Sequence, residues 1–331
     1  MLKRILIVGF VLVMAVAVSA QDAFAPITMD NVGDLQPVIE RLSEDRAFDI
    51  QGGTLSADGS LMALLDIVNS VIIVEDVATQ EVLFELPEEG YPEIMLFSPD
   101  NSQLTVLSDE GANVFDVATG ELVESLGFYI PIDYSADGST TMIIKLDEAS
   151  GELLLEFMHD GEAISEVVMP GFSEALPAMS ADGTTAIVPV ENSLYILDVE
   201  APEFSDPFVT ADGEEYESMN AVGINSDGSV IAYADEQYMA YVYDVASGEL
   251  LYEIDNTENS DYIDYLVFNS DDSLLYAVNY SAYRILDAAT GEQLNMVGHN
   301  VEGRMAVFGV ADNIILGASY EGVVAWGIES E

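Results

Sequence analysis

The chain has 331 residues, half of them hydrophobic, with 7 Lys and Arg against 61 Asp and Glu, a formal charge of −54 and no Cys. Such a surface lacks the basic footprint that nucleic-acid binding requires, and it repels anionic membranes. Without cysteine there is neither a disulfide framework nor a thiol nucleophile, while the apolar content suffices for a large core.

In chain order, Lys3-Arg4, an apolar run from Ile5 to Val18 and the small residues Ser19-Ala20 predict a signal peptide over 1–20. The run is short for a membrane span, which takes about 20 residues. Cleavage would remove Lys3 and Arg4 and no acid, making the balance two units more negative. Residues 21–46 follow as a segment of their own. Within it, Asp30-Asn31 and Leu35 suggest a short capped turn or helix, and 37–42 (PVIERL) reads as a strand. The remainder, 47–331, divides into units at about 47–86, 91–126, 130–169, 175–209, 219–254, 263–297 and 305–328. The stretch 200–218, with Pro202, Pro207 and a run of acids, is expected to be an irregular outer strand and long loop.

Residues 225–254 show the unit most clearly. Asp227-Gly228 marks a tight turn, 230–234 (VIAYA) and 239–243 (MAYVY) are short apolar runs, and 244–249 (DVASGE) is a second turn. Runs of this length between turn residues favour strands, and apolar character on both faces requires cover on both sides. The first turn recurs at Asp58, Asp100, Asp137, Asp182, Asp227, Asp272 and Asp312. The second recurs at 76–81, 116–121, 244–249 and 287–292; in the third unit DEASGE (147–152) comes one strand early. A repeat of about 40–45 residues with four strands predicts a seven-bladed β-propeller, all-β, with four-stranded antiparallel blades. The last unit stops after its third strand, so the strand at 38–42 is expected to close the ring.

The SPDGS-like and D-x-[AT]-[TS]-G-E turns resemble those of the WD-repeat and YVTN-type β-propeller families, in their secreted bacterial form. Gly298-His299 matches the Gly-His dipeptide once, and Trp326-Gly327 stands where the Trp-Asp pair would be; the other units lack both. The resemblance implies a fold much more than an activity. It brings in two readings: a non-enzymatic scaffold for a protein, peptide or glycan, and an enzyme of the lactonase or quinoprotein type. The lactonase would need a channel metal held by Glu, Asp and Asn, and no residue here matches such a set one by one.

The only histidines are His159, in a predicted outer turn, and His299. They supply too little for a triad or a His-based metal site. Carboxylate pairs are too abundant to be specific, and no complete calcium loop is present. The loops joining second to third strands share a face with the blade-to-blade loops. Tyr91, Tyr216, Tyr238, Tyr262, Tyr280 and Tyr320 fall there, with Asp235 and Glu236. Tyrosine offers wide contact and a polar tip, so these eight are the candidate binding residues. Tyr233, Tyr241, Tyr243, Tyr265 and Tyr276 lie within strands and are expected to pack. No catalytic residue, metal or cofactor is assigned. The expected protein is an exported monomer, free of the membrane once the signal is removed.

Overall fold

The computed structural model describes residues 23–42, 49–87, 92, 94–108, 110–147, 149–171, 173, 175–209, 219–257, 261–298, 307–319 and 322–330. The predicted signal peptide lies outside the described residues, as do Tyr91, Tyr216, Tyr320 and His299.

The apolar runs form strands because each must be covered on both faces. Leu61–Asp66 and Ile314–Ser319, second strands of the first and last blades, are buried along their whole length. The outer strands are mostly exposed, as at Leu122–Gly127. Seven antiparallel sheets result, arranged as a seven-bladed β-propeller. The apolar cores sit between neighbouring blades. Met62 and Leu64 pack with Ile314 and Leu316 across blades one and seven. Tyr276 and Tyr283 pack with Ile315 and Trp326 across blades six and seven.

The first turns of blades one to six share one chemistry. At Asp137 the carboxylate accepts from Ser139 Oγ (2.7 Å), Ser139 N (2.9 Å) and Ser135 Oγ (2.8 Å), while Thr140 N donates to Ser135 Oγ (2.9 Å). The turns also hold the ring together. Ala136 N donates to Ala181 O (2.8 Å), Asp182 N to Ser226 O (3.0 Å), Ser226 N to Asp272 Oδ1 (2.9 Å) and Ser270 N to Asp312 Oδ1 (3.1 Å). Asn101 Nδ2 donates to Ser60 Oγ (3.2 Å), linking blades one and two. Gly59, at φ +68°, closes the hoop: an added Cβ would stand 2.3 Å from Asn313 Oδ1 of blade seven. Asp272, counted among the turn aspartates from sequence, is displaced by one residue. Asp271 takes that place, accepting from Ser273 N (3.0 Å) and Asn269 Nδ2 (2.8 Å). Asp272 occupies the left-handed position (φ 58°) where blades one, three, four and five carry Gly and blade two carries Asn101, and reaches back to blade five.

Two irregularities match expectation. The strand Gln36–Leu42 pairs antiparallel with Gly322–Gly327 and completes blade seven. A 3-10 turn, Val32–Asp34, precedes it. Among the described residues blade four has three named strands, ending at Ser193–Asp198; of the stretch 200–218 expected to be irregular, 210–218 lie outside the described residues. Beyond them an irregular segment lays Phe204 edge-on against Tyr195 (5.1 Å) and donates Phe208 N to Leu194 O (2.7 Å).

Candidate functional site

Each inner strand runs away from the blade-to-blade loop and toward its hairpin turn. The loops between second and third strands therefore gather with the blade-to-blade loops at one mouth of the ring. Tyr238 lies between Val230–Asp235 and Met239–Asp244, and Tyr280 between Leu274–Val278 and Ala282–Asp287. Tyr262 lies in the connection from blade five to blade six.

These loops are bound to one another. The Tyr238 and Tyr262 rings lie 4.9 Å apart at 32°. The charge of the Tyr238 phenol, then the hydrogen bond between the two, pushes the Tyr262 hydroxyl pKa up. Asn256 N donates to Tyr238 O (2.9 Å), Asn256 Nδ2 to Asp261 O (2.6 Å) and Ser281 Oγ to Asp261 Oδ2 (2.6 Å). Tyr238 stands at φ +67°. A bulky side chain in the left-handed region is uncommon, and such conformations concentrate at functional sites. The comparable loops of blades one and two carry Ser70 (φ 55°) and Gly111 (φ 113°). Asp235 supports this turn from beneath. It is 4% exposed and accepts from Gln237 N (2.8 Å) and Met239 N (2.9 Å), so it positions the loop and does not present itself to a ligand. Glu236 is exposed at the rim.

Tyr262, Tyr280 and Glu236 line the mouth of a central channel of about 1200 Å³. Its wall comes from the inner strands. Three of these carry bulges, at Gln51, Ile132 and Asn220, and all three residues line the bore. A bulge re-aims a side chain, here inward. The inner strands of blades five and six come close: a Cβ on Gly223 would stand 2.4 Å from Leu266 O.

The channel contains groups that sequence reasoning did not single out. Asp133 accepts from Tyr134 N (2.8 Å) and, across to blade four, from Met179 N (2.8 Å). Part of its surface opens to the bore, yet protein surrounds it on all sides. That burial outweighs the two amide bonds and raises its carboxyl to about 6. Asp264, Tyr134 and Tyr265 also line the bore. Burial pushes both tyrosine hydroxyls up. Tyr265, expected to pack within its strand, is 49% exposed and faces the channel, because it is the first residue of the innermost strand. Tyr233, Tyr243 and Tyr276 do pack in the core. The available signal was Asp133 itself, an acid inside the otherwise apolar run IPIDY (130–134).

His159 ends a third strand on the opposite face, beside Thr140 Oγ1 at 3.2 Å. Among the described residues, no three His, Cys, Asp or Glu cluster closely enough to hold a metal ion, and no helix is long and apolar enough to cross a membrane.

Fold and site together define a seven-bladed β-propeller with a central channel lined by tyrosine and carboxylate. No protein-family model matches the chain, and no curated protein matches it in sequence.

Proposed function

We propose that the chain is an exported, non-catalytic binding scaffold that receives a protein, peptide or glycan ligand at the tyrosine and carboxylate mouth of its channel. The observation carrying this reading is the joined set of Tyr238, Tyr262 and Tyr280 with Glu236, brought from three loops of two blades to one rim. Tyr238 in the left-handed region strengthens it, since a Gly or Asn there would relieve the backbone. Such aromatic groups anchor interfaces at low conformational cost, and propeller loops vary without disturbing the ring. The lysine-poor composition and the leader-like segment 1–20 favour a role outside the cell.

The test is a paired screen of the mature protein and its Tyr238→Ala/Tyr280→Ala variant against peptide and glycan arrays. The variant is expected to fold and to lose binding by about 30-fold, the equivalent of about 2 kcal/mol for a central aromatic anchor. Equal binding by a folded variant would place the ligand elsewhere.

A further inference from the structure

We infer that the channel mouth holds an organic cation, its charge facing Glu236 and Asp264 and its alkyl groups resting on Tyr262, Tyr265 and Tyr280. This rests on the reading of the mouth as the binding site and adds the chemistry of what enters it.

Three observations carry it. At the mouth the lining includes the carboxylates Glu236 and Asp264, and among the described residues the channel wall holds no Lys, Arg or His. Among the described residues no cation lines the bore to offset the potential there, and low-dielectric walls strengthen such a potential. Second, the carboxylates are set apart. Among the described residues no group of three acids or histidines is close enough to hold a metal ion. A hard metal needs six or more oxygens at about 2.3–2.6 Å for calcium, or a near-ideal octahedron for magnesium. Dispersed acids suit a larger, weakly hydrated charge instead. Third, aromatic faces stand at the same place. Tyr262 is 40% exposed and Tyr265 49% exposed, both on the cavity wall, with the Tyr238 ring tilted against Tyr262 at 4.9 Å. A cation within about 6 Å of such rings is attracted by their negative faces, most strongly when partly desolvated. A neutral sugar would gain from the rings and nothing from the unbalanced charge.

The cation could arrive as a free quaternary ammonium or as a side chain on a peptide. Titration calorimetry of the mature protein with choline, and with its uncharged carbon isostere 3,3-dimethylbutan-1-ol, addresses the first source. A short peptide with one central Lys, against the same peptide with norleucine there, addresses the second. In at least one pair the charged member is expected to bind about 10-fold or more tightly, and the pair that discriminates identifies the source. Glu236→Gln and Tyr262→Leu, both at exposed positions, are each expected to weaken that binding by about 3- to 30-fold. Salt at about 1 M should reduce the preference for charge. Equal affinity within both pairs, or no binding in either, overturns the inference. If array ligands still depend on Tyr238 and Tyr280 in that case, the binding-scaffold reading stands without it; if they do not, both fall.

Discussion

Asp133 and Asp137, four residues apart, show how place in the blade decides what a carboxylate does. Asp137 sits in an open turn, where the Ser139 hydroxyl and amide hold its pKa at about 2. The same serine and amide contacts lower Asp100 and Asp227. These turns use ionised aspartate as a fixed acceptor, so a part of the chain's acidity is local turn chemistry. Asp133 is raised to about 6 by burial against the channel wall. Its linkage has the opposite sign to the usual aspartate. Between about 4 and 6 the folded state keeps a proton that the unfolded state releases. The contribution of Asp133 to stability is therefore full below about 4 and is lost as pH rises through 6. Carboxyl-carbon NMR on selectively labelled protein should give Asp133 a midpoint near 6, with Asp137 near 2 in the same spectra. A midpoint near 4 for Asp133 would mean that water hydrates the bore freely.

At the scale of the element, the strand Gln36–Leu42 carries more than its length suggests. It covers the edge of Gly322–Gly327, which would otherwise expose a row of unpaired amides and carbonyls. Ile39, 2% exposed, fills the core shared by blades seven and one. Arg41 pairs with Glu75 of blade one at 2.8 Å, and Glu75 is 2% exposed. The strand thus joins the two chain ends and spans the seam. Ile39→Ala is expected to cost about 2–5 kcal/mol, as for other buried aliphatic truncations. Deleting 36–42 should abolish a single cooperative melt and promote association through the opened edge. Circular dichroism melts with light scattering check both, and an unchanged melting temperature in the deleted protein would show that the ring closes without this strand. Blade four handles its own edge differently, covering Ser193–Asp198 with the irregular segment that carries Phe204 and Phe208.

Across the whole molecule, a formal charge of −54 must be held in one compact ring. The cations compensate little of it. Among the described residues Lys145 lies between Glu156 (2.5 Å) and Glu166 (2.9 Å), and Arg41 takes Glu75. Like charges at this density oppose compaction, and salt screens them. Raising NaCl from about 0.05 M to 1 M shortens the Debye length from above about 10 Å to about 3 Å, and should raise the melting temperature. Potassium chloride should act alike, since screening depends on ionic strength. A flat response, or one specific to divalent cations, would show that bound ions and not diffuse screening balance the surface.

The sequence by itself determined the repeat, the number of blades and the closing strand. These rest on local signals: a turn such as 135–139 bonds within itself, and an apolar run such as 230–234 must be covered wherever it lies. The face on which Tyr238, Tyr262 and Tyr280 gather also followed, because it depends only on strand order. The tertiary structure decided what lines the channel. Inward direction turns on register, and a shift of one residue sends every later side chain to the other face. The bulges at Gln51, Ile132 and Asn220 make such shifts; Gly52-Gly53 and Pro131 mark the first two in the sequence, but nothing beside Asn220 marks the third. Tyr265 reads as a packed strand residue and Asp133 is not singled out by the sequence; only the ring, which leaves an open axis beside each innermost strand, gives them a cavity to face.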